Sequence, residues 1–290
     1  MNKPTIINWL ILLILSFIWG SSFILMKKSL IDFNYLEVAF FRLIIAFLIL
    51  SPFFINSLKK LELKYTFPII TVGVIGTVIP AVLFALSQIY LDSSNVGVLS
   101  ALTPIFTLIV GVIIFYKHCT KKQLGGIIIG LFGTYILILP SNINIATTKY
   151  SLLVIIATIC YAISINIIKE KLKNLKSLDI AVLSSFISFL IPMLYVVNNG
   201  LSITLTKIYL NISSFYYILI LGTICTSIAI IIFNYLIKRS SALFSSSTTY
   251  LIPVFAILWG MVDGETMERH EILGIIIILI GVFIMNYKQA

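Results

Sequence analysis

The sequence predicts an all-α integral membrane protein of ten transmembrane helices arranged as two inverted five-helix repeats. Three observations carry that prediction. The composition is too apolar for water, ten long apolar runs divide the chain, and the two halves match each other at spaced Pro, Gly and aromatic positions.

Composition comes first. Of 290 residues, 60% are apolar and 10% charged, whereas soluble domains carry roughly 45–50% and about 25%. Twenty basic and ten acidic residues cannot cover a water-soluble surface of this size. A soluble enzyme, a nucleic-acid binder and a disordered chain are thereby excluded. The net charge of +10 is then a topology signal before it is a binding signal. Cys160 and Cys225 lie inside apolar runs far from Cys119, which argues against a disulfide framework. The run that begins at Ile6 resembles a signal peptide, but it continues to Met26 with no small-residue cleavage site. It is expected to be an uncleaved first span.

A spanning helix needs about 20 mainly apolar residues. The runs are 7–26, 37–56, 67–91, 93–116, 123–140, 150–168, 179–198, 214–236, 242–262 and 271–287. None alternates polar and apolar residues as barrel strands do. Connections are short, except near 141–149 and 199–213. With the N-terminus inside, fourteen basic residues fall on the inner face and five on the outer, with Arg42 left within a span. Seven of the ten acids fall outside. The positive-inside rule therefore places both termini in the cytoplasm of a cell whose plasma (inner) membrane holds the chain.

The halves repeat. A shift of 149 carries Gly73, Ile75, Thr77 and Phe84 onto Gly222, Ile224, Thr226 and Phe233, and Pro104, Phe106 and Gly111 onto Pro253, Phe255 and Gly260. A shift of 148 carries Gly126 and Gly133 onto Gly274 and Gly281. A shift of 142 carries Trp19, Ser22 and Lys27 onto Tyr161, Ser164 and Lys169, and one of 140 carries Pro52 onto Pro192. The expected units are 1–140 and 150–287. Five spans is an odd number, so the second copy enters the membrane from the opposite face. Inverted repeats of this kind build secondary transporters, with the site near the midplane between the copies.

Trp19-Gly20-Ser21-Ser22-Phe23, Phe41-Arg42-Leu43, Ala101-Leu102-Thr103-Pro104 with Gly111 and Gly126, and Leu251-Ile252-Pro253 with Gly260 together resemble the EamA family of the drug/metabolite transporter superfamily. The resemblance covers essentially the whole chain. It implies a carrier of small metabolites, often amino acids, in either direction, and places spans 5 and 10 at the periphery as scaffold. One departure is visible. Many members carry a glutamate after spans 4 and 9; here span 4 ends Phe115-Tyr116-Lys117-His118, while span 9 is followed by Asp263, Glu265 and Glu268.

At 1.5 Å per residue, Trp19, Tyr161, Pro104 and Pro253 lie near the middle of their spans, as do Ser100, Thr103, Thr249 and Tyr250. With Ser22, the aromatic and hydroxyl residues of this set are the candidate substrate contacts. Pro104 and Pro253 each remove a backbone donor and free the carbonyl four residues back, at Ser100 and Thr249. They are candidate kinks or gating points, with a static kink as the competing interpretation. Arg42 is the one charge well inside a span. Three roles compete for it: a substrate-anion contact, a structural link, and outward snorkelling. Asn95, Asn166 and Asn234 are expected to act as helix glue or caps.

The interior of every span lacks Asp and Glu, and both histidines lie in expected loops. Proton coupling through a buried acid is therefore not expected, and Asp92, at the outer hinge between spans 3 and 4, is the nearest candidate. No metal cluster, Walker loop or nucleophile elbow is present. The expected protein is not an enzyme and carries no cofactor and no metal. Its partners are a small-molecule solute and the bilayer, with no nucleic acid, and it acts as a monomer or weak homo-oligomer. The competing readings are a drug or other metabolite permease of the same superfamily, an integral-membrane enzyme acting on lipids, and a non-transporting polytopic protein.

Overall fold

The computed structural model describes residues 6–138, 145–262 and 269–286, and every regular element among them is a helix. In a bilayer each backbone N–H and C=O needs an internal partner, and a helix supplies them within one segment. The helices are α1 (Ile6–Ser29), α2 (Tyr35–Leu58), α3 (Leu63–Ser87), α4 (Ser93–Ser100 then Thr103–Ile113), α5 (Lys121–Ile138), α6 (Ile145–Lys171), α7 (Ser177–Asn199), α8 (Ile212–Arg239), α9 (Ala242–Ser246 then Thr248–Val262) and α10 (Arg269–Asn286). Eight of them, all but α5 and α10, are long and apolar enough to cross a membrane. The other two stand where the fifth and tenth spans were expected. Lys3, Lys288 and the acids Asp263, Glu265 and Glu268 lie outside the described residues.

Start signals are legible in the chain. Asn34 accepts from Glu37 N while Glu37 Oε2 accepts from Asn34 N, a reciprocal cap on α2. Thr120 and Gln123 do the same for α5. Ser241 accepts from Phe244 N at the start of α9. One connection differs from expectation. Within 199–213 the chain forms a further helix, Leu201–Leu210, with no buried residue. Its Ile203 and Leu205 are exposed while Lys207 turns back to Glu37.

The halves interlock. Span α1 packs on α8 and α9, and α6 packs on α3 and α4, so each repeat is clasped by the other. The main apolar cluster draws Phe23, Phe41, Phe84, Ala157, Leu221 and Ile252 from six helices of both halves. The same glycine contact occurs twice. A Cβ on Gly222 would lie 2.6 Å from Ile45 Cβ and 2.9 Å from Arg42 O; on Gly73 it would lie 2.7 Å from Ile187 Cβ and 2.8 Å from Ser184 O. Arg42 and Ser184 therefore hold equivalent places, on α2 and α7. At the far edge, α5 and α10 pair through glycines. A Cβ on Gly281 would meet Gly130 N at 2.5 Å and Gly126 O at 2.8 Å, and one on Gly133 would meet Ile278 N at 2.7 Å and Gly274 O at 2.9 Å. Backbone contact this close is how membrane helices associate without a hydrophobic driving force.

Ion pairs repeat as well. Glu37, third residue of α2, binds Lys207 at 2.6 Å, and Asp179, third residue of α7, binds Lys60 at 3.0 Å. Each acid sits in the first helical turn, where the dipole favours it. Each lysine comes from the segment leading into α8 or α3. In the topology given above, one pair closes each face of the bundle.

Candidate functional site

The central helices α3 and α8 each carry one wide, π-helical turn, at Val74–Val78 and Thr223–Ile228. A shift of 149 relates them. Inside these turns Thr77 Oγ1 donates to Val72 O at 3.2 Å and Thr226 Oγ1 donates to Leu221 O at 2.7 Å, each five residues back. The hydroxyl satisfies a carbonyl that the widened turn leaves without its usual donor. Such turns are frequent at functional sites, because they re-aim side chains without ending the helix.

Between them lies a cavity of about 120 Å³. One water needs at least about 10–15 Å³ of such space and takes about 30 Å³ in the liquid, so the cavity holds several waters or a small metabolite. Both repeats build its wall in matched positions: Thr77 with Thr226, Ser22 with Ser164, Phe84 with Phe233, Trp19 with Tyr161, Gly76 with Cys225, and Arg42 with Ser184. The aromatic pairs cross between repeats. Trp19 meets Phe233 edge to face at 4.8 Å, and Tyr161 stacks on Phe84 at 5.8 Å. Trp19 Nε1 also donates to Cys225 O at 3.1 Å, which fixes the indole against the wide turn of α8.

Most of the hydroxyl protons are already committed. Ser22 donates to Trp19 O, Ser100 to Gly97 O, Thr103 to Ser100 O, Thr249 to Ser246 O and Ser184 to Ile180 O. These residues present lone pairs to the cavity. The donors left for a ligand are fewer. Asn234 lines the cavity, is 2% exposed, and has no partner for Nδ2. Arg42 is half-buried in the wall, and its Nε donates to Thr226 Oγ1 at 3.2 Å. Thr226 thus gives its proton to Leu221 and receives one from Arg42. Among the described residues no acid lines the cavity and Arg42 has no ion pair. An intramembrane guanidinium costs roughly 2.5–3.5 kcal/mol on insertion scales.

Of the residues singled out in the sequence, Trp19, Ser22, Arg42, Ser100, Thr103, Tyr161 and Thr249 line this one cavity. Tyr250 does not. It is 0% exposed in a separate cluster with Ile127 and Ile278, beside Gly130, and its hydroxyl has no partner. Depth along the span was enough to nominate it, but its side chain points away from the cavity, toward α5. The prolines behave unequally. At Pro104 the helix is interrupted over 101–102 and restarts at Thr103, whose hydroxyl takes the freed Ser100 carbonyl at 2.7 Å. At Pro253 the helix runs on, and the break lies earlier, at Ser247. Ser16 Oγ from α1 meets Thr248 O there at 2.9 Å. Neither proline lines the cavity.

Six further polar or thiol residues of the wall, Thr77, Ser164, Ser184, Cys225, Thr226 and Asn234, are not among the candidates that the sequence offers. Thr77, Thr226 and Ser164 stand in the repeat matches themselves. Asn234 had been assigned to helix glue, a role that Asn166 fills by donating to Thr107 O at 3.0 Å.

The profile of the EamA-like transporter family matches residues 7–139 and again 148–287. An uncharacterized transporter of Archaeoglobus fulgidus is 24% identical over 97% of this chain and 99% of its own length. The uncharacterized transporter YcxC of Bacillus subtilis is 22% identical over 92% of this chain and 88% of its own length. The uncharacterized inner membrane transporter YedA of Escherichia coli K12 is 25% identical over 93% and 87%. A solved structure superposes with a TM-score of 0.71 at 13% identity, covering 96% of this chain and 95% of that one, a likeness of fold alone. With two profile matches spanning nearly the whole chain, this multi-pass membrane protein belongs to the EamA-like transporter family.

Proposed function

We propose that this transporter is a secondary carrier, an exporter of small metabolites such as amino acids, that works by alternating access between repeats 1–140 and 150–287. The observation that supports the proposal most is the cavity wall. Equivalent residues of the two repeats face each other across it, and their aromatic pairs join one repeat to the other. Exchanging the conformations of two inverted copies would turn an inward-facing cavity outward at little net cost. Trp19, Ser22, Ser100, Thr103, Tyr161 and Thr249 are the proposed solute contacts, and the interruption before Pro104 is a proposed hinge. The charge bias supports an inner-membrane location with both termini cytoplasmic.

The test is flux in proteoliposomes loaded with a panel of amino acids and related metabolites. Efflux of at least one solute above protein-free vesicles, reduced in Trp19→Ala, supports the proposal. No flux of any solute in either direction would overturn it.

A further inference from the structure

We infer that the transported solute carries a carboxylate, and that this group docks on the free edge of Arg42. The inference rests on the carrier reading above and names the chemistry of its cargo.

Arg42 has the geometry of an anion receptor rather than of an internal link. A structural arginine has its guanidinium consumed by carboxylates or carbonyls. Here one hydrogen bond, from Nε to Thr226 Oγ1, is what the described residues provide. That bond orients the planar group. Thr226 can accept it because its own proton goes to Leu221 O. Among the described residues the two terminal nitrogens of this cavity-lining side chain have no hydrogen-bond partner, and such a pair forms the parallel fork that matches the two oxygens of a carboxylate.

The rest of the wall agrees. Among the described residues no acid lines the cavity to compete for the cation. Asn234, 2% exposed, is a second donor with no partner in the same wall. The repeat makes the site one-sided. Ser184 occupies the place equivalent to Arg42, with the same glycine contact behind it. The solute's acid end therefore lies toward α2 and α8, and its other end toward α3 and α7.

The test uses purified protein in liposomes and a defined mixture: amino acids, mono- and dicarboxylic acids, the amide of each, neutral sugars and diamines. Mass spectrometry reads accumulation over protein-free vesicles. Wild-type protein should accumulate carboxylates and discriminate about 10- to 100-fold against their amides, the scale of hydrogen bonds to a charged group. Arg42→Gln should lose that discrimination, and Arg42→Lys should keep part of it. The amide comparison on wild-type protein stands even if Arg42→Gln does not fold. Equal accumulation of acids and amides, or of sugars or diamines in their place, would overturn the inference while leaving the carrier reading intact. Unchanged discrimination in a folded Arg42→Gln protein would overturn it as well. Accumulation of nothing would count against the carrier reading, and this inference would fall with it.

Discussion

Trp19 and Phe233 meet edge to face, 4.8 Å between ring centroids and 72° between planes, although one belongs to the first repeat and the other to the second. Such a pair contributes about 0.5–1.5 kcal/mol beyond its buried area. Its equivalent, Tyr161 on Phe84, forms the opposite crossing. Two aromatic clasps therefore hold the repeats together at the depth of the cavity.

Removing one clasp should damage transport more than folding. Trp19→Ala takes away the ring and its hydrogen bond to Cys225 O, and is expected to slow transport about tenfold, the scale of a 1–2 kcal/mol loss of fit. Trp19→Phe keeps the ring and should fall between. Flux per unit of monodisperse protein measures this; equal rates in all three proteins would remove Trp19 from the site.

The α5–α10 contact should tolerate no added carbon. Gly281→Ala would put a Cβ 2.5 Å from Gly130 N, against backbone that can yield only by separating the helices. A loss of about 1–3 kcal/mol is expected. Gly125→Ala is the control, because nothing stands within 4 Å of its Cβ. Thermal unfolding followed by size-exclusion chromatography compares the two, and equal melting temperatures would refute the close approach.

The two ion pairs should differ in weight. The Asp179 side chain is 3% exposed and takes both Lys60 Nζ and Ser57 Oγ, while Glu37 is 12% exposed opposite Lys207. Asp179→Asn is expected to cost about 1–3 kcal/mol, since it leaves polar partners without a charged acceptor. Glu37→Gln should cost less, and added salt should shrink its effect. Melting temperatures at low and high salt measure both; a larger effect at Glu37 would contradict the burial argument.

The wide turns should be unequal too. Thr77→Val removes one hydroxyl bond, to Val72 O, whereas Thr226→Val removes the bond to Leu221 O and the acceptor that orients Arg42. Transport should suffer more in Thr226→Val than in Thr77→Val. Initial rates in matched proteoliposomes compare them, and the reverse order would separate Arg42 from the transport step.

Much of this was legible in the chain because hydropathy and spacing report two coordinates, the span and the depth within it. Trp19, Ser100, Thr103 and Tyr161 are candidates on depth, and they line the cavity. Depth does not report which way a side chain faces, and Tyr250 shows the consequence: correct depth, but directed toward Gly130 on α5. The repeat supplied what depth could not. Thr77 and Thr226, or Ser22 and Ser164, match across the halves because both members face one cavity. Pro104 marked its interruption directly, because a helix cannot make the missing bond. The break at Ser247 has no proline beside it and left no such mark. The helix Leu201–Leu210 was too short to register as a span, and its exposed apolar residues read as an ordinary connection.

Cys225 offers the most direct test of the central claim, that one cavity is reached alternately from the two faces. Its side chain lines the cavity and is 3% exposed, while Cys119 and Cys160 do not line it. In a Cys119→Ser, Cys160→Ser protein reconstituted in one orientation, a small membrane-impermeant methanethiosulfonate is added to one side and then, separately, to the other. Alternating access predicts that Cys225 is modified from both faces, and that a transported solute slows both reactions. Modification from one face alone, under every condition and with every transported solute, would contradict the account.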